Sequence, residues 1–169
     1  MIDKERKLSE HFTLGELTKT KFVTPDGNEP PEEAVKNLQN ICENWLEELR
    51  FIYNTEYVLR WDEDYDTSPQ VVGVGINMGY RSQQVSEAML QSGEYNPSKT
   101  SNHLTGCAVD IRCAGVEQAI RYMTILLNLS DEKDALFDEL ILERSGGRYW
   151  IHFAVRPSDN RSIKTFIIK

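Results

Sequence analysis

Apolar residues recur three and four positions apart in the first third of the chain, which predicts one long amphipathic helix. The segment opens with Pro30-Pro31, and a proline is tolerated in the first turn of a helix. Charged and amide residues fill the positions between, so one face packs on a core and the other meets solvent. The apolar positions are Val35, Leu38, Ile41, Cys42, Trp45, Leu46 and Leu49.

The first 29 residues are mostly polar with isolated apolar side chains, so we expect an arm that packs on the core. Thr13 and Glu16 have the spacing of a capping box, which predicts a short helix after Thr13. The residues expected to hold the arm are Phe12, Leu14, Leu17 and Phe22. We therefore expect residues 1–169 to form a single domain, with residues 1–29 as its N-terminal arm.

Short apolar and β-branched runs dominate the second half of the chain and predict strands over residues 71–78, 107–113, 137–143 and 149–155. The segment Arg144-Ser145-Gly146-Gly147-Arg148 predicts a hairpin between the last two strands. A short helix capped by Ser82 is expected to run through Val85, Ala88 and Met89. A buried helix is expected at Val116, Ala119, Ile120, Met123, Ile125 and Leu126. The pattern predicts an α+β fold, with helices packed on a small central antiparallel sheet.

The composition of the chain limits its partners. A net charge of −8 argues against a nucleic-acid partner, because such proteins need basic patches to meet phosphates. No apolar run is long enough to span a bilayer, so we expect no membrane insertion. The N-terminus lacks the apolar core of a secretory signal, and the three cysteines show no C-x-x-C spacing. We expect a monomer that is made in the cytoplasm.

An acidic run, Trp61-Asp62-Glu63-Asp64-Tyr65-Asp66, offers the oxygen ligands that calcium prefers. It lacks the glycine and the distant glutamate of an EF-hand loop. We interpret it as a solvated loop.

Three residues form a candidate metal site. His103 and Asp110 lie seven residues apart, and His152 lies in the last predicted strand. Imidazole and carboxylate are good zinc ligands, and three protein ligands leave a fourth position open, as in catalytic zinc sites. Residues seven apart on a straight strand face opposite sides, so the chain must turn between them, and Gly106 permits that turn. Each residue taken alone is also compatible with a purely structural role.

The stretch Ser101 to Asp110 has the pattern Ser-x-His-x-x-Gly-x-Ala-x-Asp, and an aromatic-x-His strand follows it. This combination resembles the M15 family of zinc peptidases. Three further pieces stand in the order that this family uses, and the first is similar to the opening of its phage and prophage branch. They are residues 8–17, residues 79–82 and residues 137–143. The resemblance covers nearly the whole chain.

The resemblance implies a function in the bacterial cell wall. The family includes D-Ala-D-Ala carboxypeptidases, D-Ala-D-Ala dipeptidases and phage endolysins that cut the peptide stem of peptidoglycan. Membership of the family would imply a zinc ion held by His103, Asp110 and His152. It would also imply that the substrate is a peptidoglycan stem peptide. The bond that is cut stays open: D-Ala-D-Ala, L-Ala-D-Glu or a cross-bridge.

The better-known members of the M15 family place an Asp or Glu, which acts as the general base, three residues before the last histidine. This chain has no carboxylate there. Tyr149 stands there, and a phenol with an ordinary pKa of about 10 is a poor base at neutral pH. The carboxylate that the hairpin pattern brings to this region is Glu143, and we predict that it is the base. The missing carboxylate keeps an alternative open: a non-catalytic member that retains zinc for a structural or binding role.

The position of Glu143 depends on the register of the hairpin. If Ser145 pairs with Arg148 across the Gly-Gly turn, Glu143 faces Trp150 and becomes a diagonal neighbour of His152 on the same side of the sheet. A change of register by one residue would place Glu143 and His152 on opposite sides.

Two further residues have expected roles. Arg81 is the candidate for binding a substrate carboxylate or an oxyanion, since its planar fork matches those groups. Ser101 is expected to support the turn that carries His103 and to line the substrate site. Asp138 could support the site or simply begin a strand, and the sequence does not distinguish these roles.

Overall fold

A computed structural model of the protein describes residues 3–58 and 70–168, so the acidic run at residues 61–66 lies outside the described residues. The described chain contains five α-helices and five β-strands. The helices are α1 (Leu14–Leu17), α2 (Glu32–Ile41), α3 (Glu47–Tyr53), α4 (Gln83–Gln91) and α5 (Val116–Glu132). The strands are β1 (Ile76–Met78), β2 (Ala108–Cys113), β3 (Glu139–Ser145), β4 (Arg148–Ala154) and β5 (Ile163–Ile168).

The predicted amphipathic helix is confirmed. Pro31 occupies the N-cap position of α2 with extended backbone. Two π-helical stretches, Cys42–Leu46 and Asn54–Val58, continue the helical path before and after α3. All seven apolar positions expected from the spacing are at most 3% exposed. The ring of Trp45 lies 5.0 Å from that of Phe153, so this helix packs directly on the sheet.

The α+β fold class is confirmed, but the sheet is mixed where an antiparallel sheet was expected. The strand order is β1-β2-β4-β3-β5, and β5 runs parallel to β3 while every other pair is antiparallel. The chain leaves β4, crosses the start of β3 through residues 155–162 and returns along the far side of β3. No strand was predicted at β5, so the parallel pairing was missed.

The two faces of the sheet have different surroundings. The side chains of Val109, Ile111, Leu140, Ile151 and Phe153 lie on one face and are fully buried in the main apolar cluster. Strand alternation places Asp110 and His152 on the other face, where they lie opposite each other in the register of β2 and β4. The helix-covered face therefore forms the core, and the second face carries the polar site.

The structure corrects two details of the sequence predictions and confirms two others. The strand predicted over residues 71–78 is confined to Ile76–Met78. In α5, Val116 and Ile120 are 47% and 52% exposed, so they lie on the solvent side of an otherwise buried helix. The capping box of Thr13 and Glu16 is confirmed, and Ser82 caps α4 as expected.

The arm packs onto the core through Phe12, Leu14 and Leu17, which are at most 3% exposed. Phe22 is only half-buried. In the described ranges, no helix combines the length and apolar character needed to cross a membrane. Cys42, Cys107 and Cys113 are all buried and free.

Candidate metal centre

Three different elements bring His103, Asp110 and His152 together. His103 lies in a 3₁₀ turn, Asn102–Thr105, that precedes β2. Asp110 is the third residue of β2 and pairs with His152 of β4. One ligand atom from each side chain can be chosen so that all lie within 4.8 Å of one another. The cluster could therefore hold a metal ion.

The cluster is organised around one oxygen of Asp110. His152 Nδ1 lies 3.0 Å from Asp110 Oδ1, and His103 Nε2 lies 3.4 Å from the same oxygen. The two imidazole rings are 5.0 Å apart between centroids and nearly perpendicular. Two nitrogens and a carboxylate oxygen therefore converge, and this donor set suits a divalent transition-metal ion.

The outer nitrogen of each ring is held by the protein. His103 Nδ1 lies 2.7 Å from the carbonyl oxygen of Gly79, and His152 Nε2 lies 3.1 Å from Glu139 Oε2. Because a carbonyl and an ionised carboxylate accept hydrogen bonds, the outer nitrogens donate. The inner nitrogens, His103 Nε2 and His152 Nδ1, are thereby directed at the cluster, which is how metal-binding histidines are usually oriented. The residues present fit a metal ion.

Burial and charge act against each other in the cluster. His103 and His152 are 4% and 9% exposed. Burial alone would lower the pKa of His152, but hydrogen bonds to Asp110 and Glu139 outweigh it and raise the pKa to about 10. Burial would raise the pKa of Asp110, but the two histidines hold it well below its usual range. The site thus stabilises an anionic Asp110 beside positive charge.

The turn carrying His103 is fixed at both ends. Ser101 Oγ accepts a hydrogen bond from the backbone N–H of His103 at 3.3 Å, which is the supporting contact expected of Ser101. Gly106 follows with φ +70°, a conformation that favours glycine. A Cβ at Gly106 would lie 2.4 Å from the carbonyl oxygen of Ala34 in α2. The turn therefore packs against the long helix with no room for a side chain.

Arg81 lies beside the cluster and is 6% exposed. Its backbone N–H donates to the carbonyl of His103 at 3.1 Å, which ties the two segments together. Its Nε donates to Ser86 Oγ at 3.0 Å, and Nη1 contacts the sulfur of Met78. Burial lowers the pKa of Arg81, and the nearby charge of Asp110 partly offsets this effect.

The guanidinium of Arg81 keeps one nitrogen for other partners. No carboxylate of the described residues lies within ion-pair distance of it, and its Nη2 donates to no described atom. Every fully buried side-chain nitrogen in the described chain has a hydrogen-bond partner, so Nη2 reaches solvent. A cation in this position suits a carboxylate or an oxyanion.

The expected hairpin register is confirmed: Ser145 pairs with Arg148, and Glu143 pairs with Trp150. Glu143 therefore lies on the same face of the sheet as His152, and it is half-buried. Tyr149 lies on the opposite, helix-covered face and packs against the core. The phenol of Tyr149 therefore points away from the cluster.

Glu139, Asn102 and Arg161 also belong to the site, and none of them was predicted from the sequence. The expectation that Glu143 is the one hairpin carboxylate that the strand pattern brings beside His152 is wrong, because Glu139 contacts the His152 ring. Glu139 and Glu143 stand two residues on either side of Ile141, which pairs with His152. The same register that placed Glu143 thus also placed Glu139, and this signal was available in the sequence. Arg161 could not have been found, because its contacts depend on the unpredicted return of the chain to β5.

Comparisons of this chain with protein-family models, with curated proteins and with solved structures found no match.

Proposed function

We propose that the protein is a zinc-dependent peptidase that hydrolyses peptide stems or cross-links of bacterial peptidoglycan. The observation that carries the proposal is the convergence of His103, Asp110 and His152 within 4.8 Å in a buried cluster. The resemblance of residues 101–110 to the zinc peptidase motif supports it, and so does the order of the other matching segments. A product of a phage or prophage, made in the cytoplasm and acting on the wall after release, fits this activity.

The residues around the cluster supply what amide hydrolysis needs. His103, Asp110 and His152 would hold the zinc ion, which supplies Lewis acidity when bound. Arg81 would bind a terminal carboxylate of the stem peptide or the developing oxyanion through its accessible Nη2. Glu143, on the same face of the sheet, would accept a proton from the attacking water and return it to the leaving amine.

A second candidate is a non-catalytic protein that retains the metal for a structural or binding role. The missing carboxylate at position 149 favours it, because the better-known members of the M15 family place an Asp or Glu there, whereas here Tyr149 packs against the core. The two candidates agree on metal binding and differ in whether peptide bonds are cut.

Metal analysis of the purified protein tests the site itself. We expect about one zinc ion per chain, with ligand distances of about 2.0–2.2 Å in a metal-loaded crystal structure. Asp110→Ala should abolish binding, because the carboxylate lies at the centre of the cluster. A loaded structure with these three side chains far from the metal would contradict the assignment.

Digestion of purified peptidoglycan separates the two candidates. We expect new fragments by mass spectrometry, their loss when a chelator is added, and their return when zinc is restored. The masses identify the bond that is cut. Zinc binding without any new fragment would overturn the peptidase and favour the non-catalytic candidate.

A further inference from the structure

A polar network behind the cluster contains four residues: Asn102, Asp138, Glu139 and Arg161. We call it the supporting network. Asp138 is fully buried, immediately before β3, and Glu139 is the first residue of that strand. The Glu139 side chain is 21% exposed. The two adjacent carboxylates repel each other, and the buried one has lost its hydration, so both need compensating donors. Arg161 and Asn102 provide these donors.

Arg161 bridges both carboxylates from the loop between β4 and β5. Its Nε lies 2.8 Å from Asp138 Oδ1, and its Nη2 lies 2.6 Å from Asp138 Oδ2. The same Nη2 lies 2.7 Å from Glu139 Oε1. Its backbone N–H also donates to Asp138 Oδ1 at 3.1 Å. A planar guanidinium can make these contacts together, whereas an ammonium group cannot reproduce the fork.

Asn102 joins the same carboxylates to the other histidine. Its Nδ2 donates to Asp138 Oδ2 at 2.8 Å and to Glu139 Oε2 at 3.0 Å. Asn102 directly precedes His103 in the 3₁₀ turn. The network therefore contacts the segment that carries His103 and, through Glu139, the ring of His152.

We propose that Arg161 and Asn102 are positioning residues for the metal centre and that they act through Glu139. This inference rests on the proposed zinc-dependent function. Arg161 binds Glu139 Oε1, while Asn102 and His152 share Oε2, so the carboxylate is held at both oxygens. A fixed Glu139 keeps the His152 ring turned with Nδ1 toward Asp110. Without Arg161 the carboxylate can rotate away, and the ring loses the contact that orients it.

Arg156 provides a matched control in the same loop. Its Nη1 lies 3.6 Å from Asp138 Oδ1 and 3.3 Å from the carbonyl of Asp159. It therefore shares the buried Asp138 with Arg161, but no contact joins it to Glu139 among the described residues. Removal of Arg156 takes away a cation near Asp138 and leaves the path to His152 intact.

Zinc affinity measured by competition with a chromophoric chelator tests the proposal on the full chain. We expect Arg161→Ala and Glu139→Ala each to weaken zinc binding by roughly 10- to 100-fold, as is usual when a group that orients a ligand is removed. Arg156→Ala should bind zinc like the parent. In a Glu139→Ala background, Arg161→Ala should cause little further loss of zinc affinity, because both changes interrupt the same path to His152.

A spectroscopic signature distinguishes positioning from general support of the fold. In zinc-loaded protein with ¹⁵N-labelled histidine, the Nε2–H of His152 should be protected from exchange in the parent and in Arg156→Ala. It should lose this protection in Arg161→Ala. If Arg161→Ala fails to fold, Arg161→Lys keeps one cation beside Asp138 and should give an intermediate loss of affinity and protection.

Four outcomes separate this inference from the proposed function. Parent-like zinc affinity in a folded Arg161 variant overturns the positioning role, and so does a loss that is equally large in the Glu139→Ala background. A parent that binds no zinc overturns both proposals. If the parent binds zinc and the variants lose affinity as expected, but peptidoglycan stays intact, only the proposed peptidase activity is overturned.

Discussion

Each histidine of the cluster uses one nitrogen to hold its own position and offers the other to the shared centre. Gly79 and Glu139 take the outer nitrogens, and Asp110 faces both inner ones. The roles of individual side chains follow from this division. Glu139 orients a ring from behind, so it is poorly placed to act on a water at the centre. Glu143, farther along β3 on the same face, is the remaining hairpin carboxylate on that side.

The role of Glu143 can be tested by a change that removes only its basicity. We expect Glu143→Gln to keep the fold and the zinc ion but to lose peptidoglycan hydrolysis by roughly 100- to 10,000-fold, the usual contribution of general acid–base catalysis. Tyr149→Phe is the matched control in the same hairpin, since the phenol packs on the other face. Initial rates of fragment release provide the measurement. A Glu143→Gln protein as fast as the parent would exclude this carboxylate as the base.

At Arg81, the hydrogen-bonding geometry of the guanidinium can be tested separately from its positive charge. We expect Arg81→Lys to keep its zinc but to lose roughly 10- to 100-fold in activity, because one hydrogen bond to a charged group contributes about 1.5–3 kcal/mol. The bond to Ser86 is also lost, so the variant must be compared with Ser86→Ala, which removes only that contact. Equal activities of Arg81→Lys and the parent would reduce Arg81 to a packing role.

How far the sequence predicts the site depends on whether the signal is local. His103 and Asp110 lie in one short motif, and the turn between them is marked by Gly106. Placing Glu143 and Glu139 needs only the register of a tight hairpin, which the Gly-Gly turn sets. The orientation of the His103 ring could not be predicted, because the Gly79 carbonyl that holds it comes from a separate segment of the chain.

Among the elements, the tightest constraint lies where the 3₁₀ turn meets α2. Gly106 combines a positive φ with a close approach to the Ala34 carbonyl. Gly93 has the same φ of +70° and nothing within 4 Å, which makes it a natural comparison. Substitution of Gly93 measures the cost of the left-handed backbone conformation alone. Substitution of Gly106 adds the cost of a clash with the Ala34 carbonyl.

We expect Gly106→Ala to destabilise the protein by more than Gly93→Ala. A left-handed conformation costs a non-glycine residue about 1–3 kcal/mol, and both variants should show this loss in urea unfolding. Gly106→Ala should lose more, because the added methyl group must push the turn away from α2. It should also weaken zinc binding by displacing His103. Equal losses in the two variants, with unchanged zinc affinity, would show that the turn adapts freely.

The same comparison of local and distant signals applies to the elements of the fold. The helix from Glu32 and the β3–β4 hairpin were predicted because their patterns are contained in neighbouring residues. The parallel pairing of β5 with β3 was not, because it depends on a crossover past an intervening strand. Residues 71–75 looked like a strand by composition, but only Ile76–Met78 pair with β2.

At the scale of the whole molecule, chain segments far apart in sequence converge on the site. The carbonyl of Leu17 in the arm accepts from the backbone of Tyr80, next to the segment that holds His103. Asn28 donates to the carbonyls of Thr18 and Tyr80. The loop before β5 contributes Arg161. The arm and the C-terminal return therefore both contact segments that carry the candidate metal site, so the geometry of the site should depend on global folding.

The ion pair between the buried Asp138 and the half-exposed Arg161 should make stability depend on pH. The hydrogen bond from Arg161 is the main cause that lowers the pKa of Asp138 from 3.8 to about 2. A folded-state pKa below the unfolded one stabilises the protein above about pH 4, and this contribution is lost as the pH falls toward about 2. The shift corresponds to about 2 kcal/mol.

We expect the difference in unfolding free energy between the parent and Asp138→Asn to narrow by about this amount as the pH falls from about 4 to about 2. In an Arg161→Ala background the narrowing should be much smaller. A difference that stays constant from neutral pH to about pH 2 would mean that this pair does not link folding to protonation of Asp138.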